Sequence, residues 1–133
     1  MTSARQAIIL VVLAALAALA HARDANLVGN PANGEMIYTR CLACHALAYD
    51  RTGPRHCGLF GRRAGSVKGF TYSPAMQRSK IVWNAETLDG FLSSPLTYVP
   101  GTAMGYAGVA DAKERADLIA YLKRANESPL CSK

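Results

Sequence analysis

Cys41-Leu42-Ala43-Cys44-His45 sets two thiols three residues apart and places an imidazole directly after the second. On a helical turn, residues three apart share one face. Two such thiols can each add to one vinyl group of a haem, and the histidine that follows then lies beneath the iron, within reach of an imidazole nitrogen. Covalent attachment keeps the group from diffusing away. Two other chemistries use the same spacing. A thioredoxin-like redox pair wants a strand before the motif, and the sequence shows no strand there. A zinc site wants a second ligand pair, and the remaining cysteines, Cys57 and Cys131, are not spaced as one. The motif therefore points to one covalently bound haem c, with Cys41 and Cys44 as its attachment points and His45 as an iron ligand.

Upstream, Arg5 precedes an unbroken apolar run from Ala7 to Ala20, and Ala20-His21-Ala22 has the small-x-small form of a cleavage site. This is the pattern of a secretory signal peptide over 1–22, leaving a single domain over 23–133. The run falls short of the roughly 20 apolar residues a membrane-crossing helix needs, so an uncleaved anchor is the weaker reading. Export places the protein in the periplasm, where oxidising conditions give cysteines a structural use.

The charge is uneven. Residues 35–80 carry eight Lys/Arg against Glu35 and Asp50, whereas residues 81–133 carry five against six Asp/Glu. A basic half suits an acidic protein partner or peripheral contact with an anionic membrane face. Nucleic acid is not expected as a partner, because no nucleic-acid motif is present and export removes most of it from reach.

Downstream of the motif the chain is broken up. Gly53, Pro54, Gly58, Gly61, Gly65 and Gly69 predict an irregular, turn-rich stretch over 46–70. Helix signals stand on either side. Asn30-Pro31 starts a helix expected over 32–44. Ser73-Pro74 starts a brief one over 75–79. Asn84 caps another, with Leu88, Phe91 and Leu92 on one face and Pro95 ending it. Residues 99–108 read as loop. Asp111 then caps a last helix, striped by Leu118, Ile119, Tyr121 and Leu122, that runs to about residue 126. The fold class is all-α, with first and last helices and long loops between them. Loops of that length in so small a domain call for something inside that orders them.

A second axial ligand must come from elsewhere in the chain. Met36, Met76, Met104 and His56 are the candidates. Met36 lies too close before the motif to reach the far face. Met104 sits in a loop of small residues, Pro100-Gly101-Thr102-Ala103-Met104-Gly105, and can approach iron without steric conflict. His/Met ligation fills both axial positions and raises the iron's potential, which suits electron transfer better than substrate binding.

Several strings fall together in the order and spacing of one family. They are Thr52-Gly53-Pro54, Gly58-Leu59-Phe60-Gly61-Arg62, Gly69-Phe70-Thr71-Tyr72-Ser73, Trp83, Tyr98-Val99-Pro100-Gly101-Thr102-Ala103-Met104 and Glu114 to Lys123. From about Gly34 to Asn126 the chain resembles the class I cytochromes c, in the mitochondrial and bacterial c2-like branch. The resemblance implies a small cytochrome c fold wrapped around one haem, with Gly34 and Tyr121 where the first and last helices cross. It implies Met104 as the distal ligand and Pro54 as the carbonyl that accepts from His45. It also implies Arg62, Tyr72 and Trp83 as donors to a buried propionate. Phe91 departs from the family, standing where a tyrosine often donates to the axial sulfur. Leu96 and Ala103 depart too, standing where mitochondrial members have lysines at the exposed haem edge, while Arg40 and Arg51 keep positive charge there. A disulfide between Cys57 and Cys131 is expected, because export leaves two cysteines over and the family's fold brings the tail near the loop of 53–61.

The function implied is a monomeric one-electron carrier, not an enzyme, exchanging electrons with redox proteins: a reductase on one side and an oxidase or dehydrogenase on the other. A haem protein with a labile distal position, peroxidase-like or ligand-binding, is the catalytic alternative. A subunit dedicated to one enzyme is a third.

Overall fold

The computed structural model describes residues 28–132; the expected signal segment lies outside the described residues. Among the described residues, five helices and one 3-10 turn make up the regular structure: α1 (Pro31–Tyr38), the 3-10 turn (Thr39–Cys41), α2 (Pro74–Arg78), α3 (Ala85–Ser93), α4 (Pro95–Tyr98) and α5 (Ala112–Asn126). Among the described residues the only β pairing is one isolated bridge between Arg63 and Val82. The domain is all-α, as its caps and periodicities predict.

The caps work as their chemistry requires. The Asn30 side chain accepts from the Ala32 N–H at 2.9 Å, with Pro31 in the first turn. Asn84 and Thr87 form a reciprocal capping box on α3. Asp111 accepts from the Glu114 N–H at 2.8 Å to start α5. Two elements differ from the sequence expectation. The first helix tightens into the 3-10 turn at Thr39 instead of continuing to Cys44, because the Thr39 hydroxyl donates to the Met36 carbonyl at 2.6 Å and competes with the helical ladder. Pro95 ends α3 as expected, yet it also opens α4: a proline that cannot continue one helix is well placed in the first turn of the next.

The principal helix pairing is α1 against α5. Gly34 lies where a Cβ would overlap the Asp117 carbonyl and the Tyr121 Cβ. With no side chain there, the two backbones meet directly. The buried Asp117 carboxylate then accepts from the Asn30 N–H at 2.5 Å and pairs with Lys113, stitching the start of α1 to α5. Ile37, Tyr38, Leu118, Tyr121 and Leu122 from this crossing join Leu88, Phe91 and Leu92 of α3, Trp83 and Leu59 in one apolar cluster.

After α5 the chain turns back. Cys131 N–H donates to the Ser128 carbonyl at 3.0 Å, and Cys131 is bonded to Cys57, their Cα atoms 5.0 Å apart. The expected disulfide is present, and it ties the C-terminal tail to the loop that follows the cysteine motif.

Gly34→Ala should destabilise the haem-bearing protein by about 3 kcal/mol, the upper end for overpacking, because both obstructing atoms belong to backbone or a Cβ and cannot rotate away. Guanidinium unfolding followed by tryptophan fluorescence measures it. Replacing Cys57 and Cys131 together by serine removes a cross-link of 74 residues. It should lower stability by up to about 4 kcal/mol in the chain-entropy account. Alkylation of the denatured, unreduced native protein should find neither thiol free.

Candidate haem site

The apolar cluster surrounds a cavity of about 490 Å³, lined by residues drawn from between Tyr38 and Leu122. Cys41, Cys44 and His45 come from the turn that ends α1. Their backbone stays tightly wound: the Cys44 and His45 N–H groups both donate to the Cys41 carbonyl, at 3.1 and 2.8 Å. This places the two sulfurs and the imidazole on one wall. Burial pushes the Cys41 thiol up to about 11, the Arg40 charge opposing the rise and Cys44 adding to it. Among the described residues these are the two cysteines outside the disulfide.

His45 is buried, and its ring is fixed. Nδ1 lies 2.8 Å from the Pro54 carbonyl oxygen. Burial pulls the ring's pKa below its ordinary value, against the Pro54 hydrogen bond, so the imidazole is neutral at pH 7. A neutral ring that donates from Nδ1 carries its free lone pair on Nε2, the form a metal ligand takes. Gly53 packs on the same ring; a Cβ there would fall 2.6 Å from both Nδ1 and Nε2, so only glycine fits.

Met104 lines the cavity from the loop between α4 and α5. The Met104 N–H donates to the Thr102 hydroxyl at 3.3 Å. Of the other candidate ligands, Met36 is 66% exposed on the outer face of α1. Met76 is buried in α2 and also lines the cavity. His56 stands on the His45 side: the two rings stack, centroids 4.3 Å apart and 22° between planes. It is therefore placed beside His45 rather than across the cavity from it.

Arg62, Tyr72 and Trp83 all reach the cavity. Arg62 donates Nη1 to the Cys57 carbonyl at 3.0 Å and Nη2 to the Arg55 carbonyl at 2.9 Å, which leaves N–H groups over for another acceptor. Burial pulls its pKa down, Tyr72 opposing the shift. The Tyr72 hydroxyl accepts from the Val67 N–H at 3.4 Å and keeps its own proton to donate. Donors from Arg62, Tyr72 and Trp83 at a mainly apolar space suit an anion there. A haem fits this arrangement: thiols and an imidazole on one wall, a thioether elsewhere, apolar packing between, and donors for its carboxylates.

Thr102 lines the cavity and was not assigned by sequence reasoning as a group of the site; His56, weighed there only as a distal ligand, lines it from the His45 side. Thr102 is buried in the loop before Met104, where a polar residue is signal enough to ask what it faces. The stacking of His56 on His45 carries no local signal, because the loop brings the two rings together.

The cytochrome c family model matches residues 31–126. The chain is 42% identical over 120 residues to cytochrome c2 of Blastochloris viridis, covering 88% of this chain and 90% of that one. It is 47% identical over 91 residues to cytochrome c of Gibberella zeae, 66% of this chain and 86% of that one. Among solved structures, cytochrome cH from Methylobacterium extorquens superimposes with a TM-score of 0.70 at 37% identity, over 72% of this chain and 99% of that one.

Proposed function

The chain belongs to the cytochrome c family, electron carriers that hold one covalent haem c through a motif such as Cys41-x-x-Cys44-His45, and we propose that it is a diffusible periplasmic carrier with His45 and Met104 as axial ligands. The observation that carries the ligand assignment is the convergence of both groups on one apolar cavity: a neutral imidazole with Nδ1 committed to Pro54, and a thioether on a loop of small residues. When bound, the haem iron takes up and gives up one electron.

The chain's own residues make that exchange inexpensive. The Pro54 carbonyl holds the His45 ring at one orientation and raises its basicity. Arg62, Tyr72 and Trp83 supply donors to a propionate, so that carboxylate need not be buried unpaired. Packing by Leu59, Leu88, Leu92, Leu118 and Leu122 excludes water. Low reorganisation in both oxidation states follows from walls that are already filled and hydrogen-bonded. Phe91 brings no hydroxyl to this space, so the axial sulfur keeps its full donor strength toward the iron. The apolar run of 7–20 and the small-x-small site at Ala20-His21-Ala22 support export to the periplasm.

Partner docking is proposed at the face around the motif and the Met104 loop. Leu42 and Leu96 are 43% and 53% exposed there, and Ala103 is exposed with them. Arg40 is committed to a two-pronged ion pair with Glu114, at 2.7 and 3.0 Å. Arg51 donates to the Leu42 carbonyl at 2.5 Å and remains the charge at this rim. Redox proteins, a reductase and an oxidase or dehydrogenase, would meet a surface more apolar than basic.

Met104→Ala should turn a low-spin ferric spectrum high-spin and let cyanide and carbon monoxide bind readily; an unchanged low-spin spectrum would reject Met104. In the same preparation, haem should stay with the chain in acidified organic solvent. The association rate with a redox partner should fall only shallowly between low and physiological salt, because long-range steering scales with unpaired charge. Stopped-flow electron transfer across a salt series checks this, and a steep fall would contradict it.

A further inference from the structure

His56 is held in place from several sides. Its N–H donates to the Ala46 and Leu47 carbonyls, both at 3.1 Å. Its carbonyl accepts from Asn126 Nδ2 of α5 at 3.0 Å. The next residue, Cys57, is locked by the disulfide. Its ring lies against two others: stacked on His45 at 4.3 Å between centroids, and edge-on to Tyr38 at 5.6 Å. The Tyr38 hydroxyl and His56 Nδ1 are 3.0 Å apart. Tyr38 is buried, and burial raises its pKa well above the usual phenol range, so it keeps a proton to donate. Donation to Nδ1 leaves the His56 proton on Nε2 and fixes that ring's rotation.

A leucine would fill this position with less chemistry. An aliphatic side chain packs against an imidazole without orienting it and needs no phenol behind it. Here a row of three rings, Tyr38, His56 and His45, runs from α1 to the proposed axial ligand. We propose that His56 is a positioning residue for the axial ligand: its stacked ring, oriented by Tyr38, sets the rotation of the His45 imidazole and lowers the reduction potential of the iron. This inference rests on the reading of His45 as an iron ligand.

Two physical effects give the direction. Oxidation adds one positive charge to the iron and its ligands, and a neutral polar ring in face contact with the ligand stabilises that charge better than an alkyl group does. A stacked ring also removes rotational freedom from His45 beyond what the single Pro54 hydrogen bond removes. Tuning through a group that touches the ligand but not the metal is the ordinary reach of such contacts.

The test uses the haem-bearing protein and three variants: His56→Leu, His56→Gln and Tyr38→Phe. His56→Leu should raise the potential, shifting the oxidation equilibrium roughly three- to tenfold, where tenfold is about 59 mV for one electron. His56→Gln retains a polar side chain without the ring and should recover only part of the shift. Tyr38→Phe keeps all three rings and should move the potential in the same direction by less. In the ferric proton NMR spectrum, the hyperfine-shifted ring signals of His45 should change position in all three variants. Folded variants with unchanged potential and unchanged His45 signals would overturn the proposal while leaving His45 a ligand. Absence of hyperfine-shifted His45 signals in the unsubstituted protein would overturn the ligand reading and the proposal together.

Discussion

Where α1 crosses α5, Gly34 lets one backbone rest on the other, and the position of the cysteine motif follows from that contact. The 3-10 turn carrying Cys41 begins one residue after α1 ends, so the crossing angle aims Cys41, Cys44 and His45. The closeness also buries Asp117. Burial alone would raise its pKa, but the Asn30 N–H, the Lys113 ammonium and the Asn33 amide outweigh that and hold it below the usual carboxylate range. At its far end α5 grips the loop after the motif: the Asn126 side chain accepts from the Leu59 N–H at 2.9 Å and donates to the His56 carbonyl. One helix thus fixes both the segment that brings the motif and the segment that supports its histidine.

The loop between those two grips has little regular structure, and its order comes from polar contacts. Asp50 accepts from the Arg55 N–H at 2.8 Å and pairs with its guanidinium at 2.9 Å, closing the turn that carries Gly53 and Pro54. The Gly53 N–H donates to the Cys44 carbonyl at 2.7 Å, drawing that turn against the motif. Arg62 then ties residues 55 and 57 through their carbonyls. Each link brings a backbone group to His45 or holds one that does. The disulfide adds an anchor from the C-terminal tail at residue 57.

Features that depend on short-range spacing were legible in the sequence. The cysteine motif, the caps at Asn30, Ser73, Asn84 and Asp111, and the apolar stripe of α5 are all local chemistry, and each stands where its residues predict. The crossing at Gly34 and Tyr121 rests on family resemblance, and the Cys57–Cys131 pairing on resemblance together with the two cysteines that the motif leaves over, since neither contact is encoded by its neighbours. The tightening at Thr39 was missed because a threonine hydroxyl can either face solvent or bond to the preceding turn, and composition does not choose. The second use of Pro95 was missed because a helix stop and a helix start look alike at a proline. The placement of His56 depends on how a glycine-rich loop folds back, and such a loop has no period from which to read a facing direction.

Charge shows the same division between local and folded information, with a consequence for recognition. Counted along the chain, residues 35–80 are basic and residues 81–133 slightly acidic. Folding brings the halves together at two pairs: Arg40 meets Glu114 across 74 residues and Arg124 meets Glu35, while Arg115 meets Asp89 within the second half. The two pairs across the halves, exposed at both partners, add little stability. Their effect is on the field the protein projects, because a paired arginine presents a dipole where an isolated one presents a charge, and a dipole's field falls off faster with distance. At the face proposed for docking this leaves the exposed Leu42, Leu96 and Ala103 for contact at short range. Apolar contacts of that kind act only after desolvation, so they favour a partner by shape rather than by drawing it in from afar. A carrier must also leave its partner quickly, and a few separated apolar side chains, with Arg40 already paired to Glu114 and Arg51 left as the charge at the rim, bind weakly enough to permit it.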